Sequence, residues 1–598
     1  MISYQHGISV QAAGLGALRS GVHGLFRLDG GPLDPREIKR IGLGATQRGS
    51  AILEAIDRAE PGASASVVEE ACTTCLAGWI DDADTQAQRL GLPADSPVAL
   101  IARVALDRYG AETPLQLGGE WTLLQWDERS GAVSVTAMAS AARRDPVHFA
   151  HLGANVAISS DLHALARLDW VDGEIDEVGL FTALGRAPLR EKAQGRTIYR
   201  GVRLLEPGQG LVFSSGAAPR PLQCNALALP VPWRGNAEEA FAEAESLLRR
   251  IMRERIARAG TAALLLSGGL DSTLLTWAAV AESGPDTKLL TFTSAAPPAC
   301  AVADEIAEAR MVADYLGLAN FPIVPGPELD SYCPAPKVLA GANGPLLSNR
   351  HCLTEAFQQA ARMQGAKLLV NGTYGEGTLT ARIVNQGPWT SLRGLGRRLL
   401  GRGEGSVSGQ ANDRFHVQLA PHRLASLPGE LIEPAVTARS EVARGQFGFL
   451  QVAPKALAHP NAFHADAVRM DFPFRDLRLL RFFASLPEHM VRSFGADRGL
   501  ARRMLVGRVP DAIVGRRIGR PADPDHFARL QRQAPAARAR IAGYRQAGLD
   551  DWLDLDWLER ELARVAQQGV SSVDHANRTQ LTAIAAEYLM WLQDGARA

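Results

Sequence analysis

Up to about residue 215, apolar positions fall in short runs separated by turn-forming residues. Gly21-Val-His-Gly-Leu-Phe, Trp121-Thr-Leu-Leu-Gln-Trp-Asp, Ala132-Val-Ser-Val-Thr, Val156-Ala-Ile-Ser-Ser and Gly210-Leu-Val-Phe are runs of this kind. They predict a strand-rich region with helices interspersed. From residue 237 the spacing changes. Ala237 to Arg258 has helical spacing, Thr261 to Leu266 is a short apolar run, and Ser272 to Ala281 is helical again. Leu289 to Thr293 reads as a second strand, Glu305 to Leu316 as a helix, and Lys367 to Val370 as another strand. Strands and helices taking turns predict a parallel sheet covered by helices on both faces, and beyond about residue 415 helical patterns dominate.

At 598 residues the chain is too long for one ordinary core, so a boundary is expected. Gly216-Ala-Ala-Pro-Arg-Pro and Leu229-Pro-Val-Pro-Trp offer several prolines and little periodicity, which places a linker at 216–236 between domains 1–215 and 237–598. Arg393 to Asn412, with its glycines, arginines and serines, reads as a mobile loop. There is no internal repeat.

Composition narrows the partners. Lys+Arg and Asp+Glu are both 64, so no net field recommends nucleic acid or an anionic membrane. The opening Met1-Ile-Ser-Tyr-Gln-His lacks the layout of a signal peptide, and the apolar runs are too short to span a bilayer, which leads us to expect a cytoplasmic protein. Six scattered cysteines do not make a disulfide framework, and Cys72 and Cys75 have no second pair or histidine cluster to complete a zinc site. Lysine occurs only at 39, 192, 288, 337, 367 and 455, so a catalytic cation late in the chain has to be arginine.

The candidate chemistry centres on Ser267-Gly268-Gly269-Leu270-Asp271-Ser272, reached directly from the buried run ending at Leu266. A strand feeding through a small-residue turn into a helix aims backbone N–H groups and the positive end of the helix dipole at one point, where a phosphate can sit. Gly268 and Gly269 allow close backbone approach, Ser267 and Ser272 add hydroxyl donors, and Asp271 can carry a magnesium ion bridging phosphates. The plainer alternative is a strand–turn–helix whose glycines serve geometry alone; serines on both sides and an acid inside the turn speak against it. No lysine follows, so this is not the loop of phosphoryl-transfer enzymes, and the expected chemistry is attack on the α-phosphate of ATP with pyrophosphate leaving.

With these residues the chain resembles the asparagine synthetase superfamily of AMP-forming ligases. Asp304-Glu305-Ile-Ala-Glu-Ala-Arg310-Met-Val-Ala-Asp-Tyr-Leu-Gly317 is similar to that family's D-E-x-x-x-A-R-x-V-A-x-x-L-G helix. Pro473-Phe474-Arg-Asp476-Leu-Arg478-Leu479-Leu-Arg-Phe482-Phe-Ala-Ser485-Leu486-Pro487 is similar to its P-F-x-D-x-R-L-x-x-F-x-x-S-L-P segment. The N-terminal half resembles the family's glutaminase-type domain through Gly119 to Asp127, Ser159-Ser-Asp161 and Thr197 to Gly208. The implied fold class is α/β: an N-terminal glutaminase-like, Ntn-type α+β sandwich, then a PP-loop parallel-sheet synthetase domain with a helical C-terminal part. The implied cofactors are ATP and Mg2+, with Leu266 to Ser272, Thr291, Thr293 and Gly372 at the nucleotide and the strand Leu290 to Ser294 lining the adenine.

Three departures shape the functional expectation. Working glutaminases of this family carry cysteine directly after the initiator methionine, and here Ile2 stands there, which removes the thioester route to ammonia. The family's second magnesium loop, S-G-x-G-x-D-E, becomes Asn371-Gly372-Thr373-Tyr374-Gly375-Glu376-Gly377, so Glu376 replaces the aspartate as second metal ligand and Thr373 stands where asparagine synthetase has glutamate. Tyr374 is then the nearest proton acceptor, provided that its pKa is lowered. The family's late lysine is absent from Arg516-Arg517-Ile-Gly-Arg520, which leaves Arg517 or Arg520 to stabilise the acyl-adenylate transition state. This combination most resembles the lasso peptide cyclases, with β-lactam synthetase-like enzymes as closest rival. The implied substrate is a precursor core peptide, with a leader peptidase and a leader-recognition protein as partners and no role for nucleic acid or membrane. Ammonia-dependent asparagine synthesis and a catalytically dead, peptide-presenting scaffold are the alternatives.

Overall fold

The computed structural model describes residues 20–44, 49–56, 64–69, 71–142, 145–185, 195–222, 230–298, 300, 302–345, 348–381, 415–425, 468–495, 497–516 and 522–595. Two antiparallel sheets form the N-terminal half. One runs, in spatial order, Ala51–Ile56, Gly21–Arg27, Asn155–Ser159, Val147–Leu152 and Arg203–Leu205. The other runs Arg220–Leu222, Gly210–Ser214, Ser134–Ala139, Gly119–Asp127, Cys72–Ile80 and Ser64–Glu69.

Period-two alternation explains how they stack. Val22, Phe26, Val156 and Ile158 of the first sheet meet Cys75, Leu124, Trp126 and Val135 of the second in one dry core. The intervening positions point outward: Leu76, Trp121 and Leu123 bury the helix Val98–Tyr109, and Leu25, Ile52 and Ala157 bury the helices Leu162–Ala166 and Glu177–Leu184. The result is a helix–sheet–sheet–helix sandwich. The strand Arg220–Leu222 pairs with Gly210–Ser214, so this sheet runs on into the stretch read as linker.

The helix Ala237–Ala259 starts where expected because Asn236 and Glu239 form a reciprocal capping box: Asn236 Oδ1 accepts from Glu239 N and Glu239 Oε2 accepts from Asn236 N, both at 2.9 Å. It leads into a fully parallel sheet with spatial order Asn320–Ile323, Lys288–Ser294, Thr261–Leu265, Leu368–Val370, Arg469–Asp471. Ala262, Leu264, Leu368 and Val370 pack under the helices Ala237–Ala259 and Leu270–Glu282. Ala263, Phe292 and Leu369 pack under His351–Met363 on the other face. The mixed α/β class is therefore as the sequence predicts. The loop predicted for Arg393 to Asn412 lies outside the described residues.

Besides the cores of each half, one core is common to both. Helices His526–Ala539, Leu555–Gln568 and Val573–Gly595 share one apolar cluster with Leu180, Phe181 and Leu184 of the N-terminal half. A buried ionic cluster joins the halves elsewhere. Arg255, 1% exposed, donates to Asp471 at 2.6 Å, Asp476 at 3.0 Å and Glu120 at 3.2 Å, and Arg475 donates to Glu120 at 3.2 Å. Trp79 lies against Arg255, Arg258 and Arg469 at 5.1, 5.0 and 4.5 Å. Among the described residues no helix is long and apolar enough to cross a membrane.

Candidate active site

In the parallel sheet the first strand in sequence, Thr261–Leu265, lies between the second and the fourth, Lys288–Ser294 and Leu368–Val370. Connections on its two sides leave in opposite directions, and such a switch point opens a crevice beyond the carboxyl ends of the strands. A cleft of 790 Å³ lies there, within the range of small-molecule sites. Ser267, Gly269, Asp271 and Ser272 line it from the first loop, and Asn371 to Glu376 from the loop after Leu368–Val370.

The first loop is tightly wound. Ser267 N–H donates to Ser272 Oγ at 3.1 Å, Gly269 N–H donates to Ser267 Oγ at 3.2 Å, and the two hydroxyls are 3.0 Å apart. Gly268 has φ +66°, and a Cβ there would come within 2.6 Å of Glu308 Cβ, so both backbone and space require glycine. Gly269 is the N-cap of Leu270–Glu282 and no side chain caps that helix, which leaves the positive end of its dipole facing the cleft. Leu270 itself points away, 3% exposed, into the core under the sheet, and Leu266 is buried at the strand's end while touching the cleft.

The second loop lies directly on the first. A Cβ on Gly372 would stand 3.2 Å from Ser272 N, and one on Gly375 would overlap Asp271 Oδ1. This contact brings the two carboxylates expected to hold magnesium to one guanidinium: Arg498 donates from Nη1 to Asp271 Oδ2 at 3.1 Å and from Nη2 to Glu376 Oε1 at 2.8 Å. Thr380 Oγ1 donates to the other Asp271 oxygen. Burial pushes the Asp271 carboxyl above the usual carboxylate range, Thr380 and Arg498 pull it back, and nearby Glu376 raises it. Glu376 is the more open partner, its side chain 70% exposed against 22% for Asp271. Among the described residues no three His, Cys, Asp or Glu side chains converge as a metal cage. Two carboxylates suit magnesium nonetheless, because that ion keeps waters and takes phosphate oxygens to complete its shell. The donor set thus fits a magnesium nucleotide.

Two expectations need correction, Tyr374 as proton acceptor and Thr291 with Thr293 at the nucleotide. Tyr374 lines the cleft, but its ring packs edge-on against Phe472 at 5.6 Å, and burial drives its phenol pKa up, with Arg475 opposing only in part. That is the wrong direction for a proton acceptor. Thr291 and Thr293 are buried and face neighbouring strands, their hydroxyls donating to Ala319 O at 3.0 Å and Leu266 O at 2.7 Å. Phe292 and Ser294, one residue out of phase, line the cleft instead. Thr373 folds onto Asn371 Oδ1 through its N–H at 2.9 Å and its hydroxyl at 2.7 Å, so the loop presents no acid there. Arg517 and Arg520 lie outside the described residues. Their neighbour Arg516 donates to Ser267 O at 3.3 Å and lies 3.5 Å from Glu305, which ties the late arginine segment to the phosphate loop. Arg498 itself was missed, since only the fold brings it to the loops.

Ile2 also lies outside the described residues, and the residue that leads into the first described strand, Gly21–Arg27, is Ser20, 7% exposed. The first cysteine of the chain, Cys72, is on the strand Cys72–Ile80, in the other sheet.

A family model described as asparagine synthase matches residues 243–376 and 413–593, a span that holds both loops, Arg498 and Arg516. The chain belongs to the asparagine synthase family. It is accordingly an ATP-using ligase. No curated protein matches. Among solved structures it is similar to the glutamine phosphoribosylpyrophosphate amidotransferase from B. subtilis complexed with ADP and GMP, at 12% identity over 59% of this chain and 70% of that one, with a TM-score of 0.22. A structure described as the allosteric regulatory enzyme of purine biosynthesis is similar at 14% identity over 59% of this chain and 68% of that one, again with a TM-score of 0.22. A TM-score of this size is too low to argue from.

Proposed function

We propose that this asparagine synthase family member is a lasso peptide cyclase. It adenylates an Asp or Glu side chain of a precursor core peptide and closes a macrolactam with the peptide's N-terminal amine, releasing AMP and pyrophosphate. The observation that supports this reading is the pairing of a tightly wound Ser267–Ser272 loop, open to the cleft, with a sandwich whose first described strand is entered by Ser20 and not by a thiol. Without a thiol at that position the glutaminase route to ammonia is closed, which favours an attacking amine carried by the substrate itself over one released from glutamine. In this reading Ser267, Gly268, Gly269 and Ser272 would hold the phosphates that leave as pyrophosphate, and Asp271 and Glu376 would hold magnesium, which would supply charge neutralisation for the polyphosphate. The exposed side of the cleft, where Ser348 and Arg350 stand, is left for the acyl substrate. In this reading a leader peptidase and a leader-recognition protein act before it, to free the amine that attacks.

The test is incubation of the full chain with ATP, magnesium and a leader-free core peptide. AMP, pyrophosphate and a product lighter by one water are expected, and release of ADP would sink the assignment. Ammonia-dependent asparagine synthesis is the second reading, favoured by the description of the matching family model. Pyrophosphate exchange stimulated by free aspartate would establish it, and no stimulation at high aspartate would remove it.

A further inference from the structure

Arg498 stands before the helix Gly499–Leu505 with φ +55°, a left-handed backbone that a residue with a Cβ adopts only where its surroundings compel it. Its side chain is 15% exposed and lines the cleft. A guanidinium has five donors, and here Nη1 and Nη2 serve Asp271 and Glu376, while Nε is buried with no acceptor among the described residues. The two acids stand on separate loops and would repel each other if left alone together. Arg498 supplies the positive charge between them and keeps a spare buried donor beside the phosphate loop.

We propose that Arg498 is an internal stand-in for the divalent cation and, in turn, a phosphate-binding residue. Before nucleotide binds, it holds Asp271 and Glu376 in register. When the magnesium nucleotide is bound, it releases both carboxylates and donates to the polyphosphate oxygens that leave as pyrophosphate. The inference rests on the adenylation reading of the same cleft.

The exchange makes an unusual demand on a variant, namely that two affinities move in opposite directions. Arg498→Gln removes the cation that competes for the carboxylates, so a divalent ion alone should bind more tightly. It also removes a charge-assisted donor to phosphate, so pyrophosphate should bind more weakly. A residue that only supports the loop would weaken both. The probes are Mn2+ alone, followed by the paramagnetic resonance of the free ion, and magnesium pyrophosphate, followed by calorimetry, both on the full chain. Arg498→Gln is expected to tighten Mn2+ and to weaken pyrophosphate by about ten-fold or more each. Arg498→Lys keeps the charge but not the fork, and should move both affinities the same ways by a smaller factor, about three-fold. If glutamine prevents folding, as judged by near-ultraviolet dichroism, the lysine variant decides by the same signs. Asp271→Asn separates two failures. If it abolishes Mn2+ binding while the Arg498 variants leave Mn2+ affinity unchanged or weaker, the stand-in role is wrong and the metal assignment survives. If it binds Mn2+ as wild type does, the metal assignment falls and this proposal with it.

Discussion

Replacing Glu120 by methionine tests whether the N-terminal half is a structural part of the ligase. Glu120 is 3% exposed on the strand Gly119–Asp127, and its two oxygens accept from Arg255 and Arg475 of the other half, each at 3.2 Å. Both arginines are 1% exposed. Arg255 keeps Asp471 and Asp476 if Glu120 is lost, but the Arg475 guanidinium has no other acceptor among the described residues, its Nε and Nη1 being buried and unbonded already. Glu120→Met therefore leaves the buried Arg475 guanidinium without an acceptor among the described residues, its charge answered only at longer range by Asp471, at nearly constant volume. Breaking a buried ion pair from one side costs about 3–5 kcal/mol, a large share of the roughly 5–15 kcal/mol that stabilises a domain. Replacing both partners should be far milder, because an apolar pair of similar volume owes no desolvation. Urea unfolding, followed by far-ultraviolet dichroism and by tryptophan fluorescence, measures the single variants and Glu120→Met with Arg475→Met. The expected result is a large loss for Glu120→Met, recovery of most of it in the double variant, and coincident transitions by both probes, since the halves share a core. A single variant within about 1 kcal/mol of wild type, or a double variant no better than the single, would refute the reasoning.

Gly375→Ala would drive a methyl into Asp271 Oδ1 and to 2.7 Å from Thr380 Oγ1, so the second loop must lift from the first; ATP–pyrophosphate exchange is expected to fall on the order of a hundred-fold, and unchanged exchange would show that the contact is not needed. Asp81 is pushed up to about 7 by burial and then by the neighbouring Asp476 charge, so the folded chain keeps a proton that the unfolded chain loses above 3.8. That contribution to stability is present at low pH and is lost as pH rises towards about 7; Asp81→Asn should flatten the fall in melting temperature between about pH 5 and 7.5, and an unaltered pH profile would count against it. Glu376→Gln should abolish AMP formation, a loss of several kcal/mol in the transition state, while a side chain 70% exposed leaves the melting temperature close to wild type; Glu376→Asp should retain part of the activity, and undiminished turnover in the glutamine variant at low magnesium would break the metal assignment.

The strands of the sandwich were legible because their faces differ: in Gly119–Asp127, Leu123 meets a helix and Leu124 the opposite sheet. The end of that half was not. Pro219 and Pro221 look like linker residues, yet Pro221 lies in Arg220–Leu222, which among the described residues is an edge strand paired with Gly210–Ser214 alone, the setting in which a strand tolerates proline. Nor could local patterning show that helices after residue 526 complete a core begun by Leu180 and Phe181, since an apolar stripe says that a helix is covered and not by what.

The site divides in the same way. Ser267, Asp271 and Ser272 lie within one turn of chain, and their chemistry can be read from spacing. Thr291 and Thr293 went wrong by one step of a period-two pattern: a strand buried on both faces gives no polar side to choose, and Phe292 faces the cleft instead. Arg498 is 227 residues from Asp271 and 122 from Glu376, so no window along the chain contains the group it completes. The scarcity of lysine was a signal that a cation late in the chain would be arginine, but not of which arginine the fold brings to these two loops. A lysine offers one compact ammonium, whereas a guanidinium is a planar fork that can serve two acids on separate loops and still present a third edge. The charge between Asp271 and Glu376 is thus held by the side chain whose shape lets it span both acids while keeping Nε in reserve.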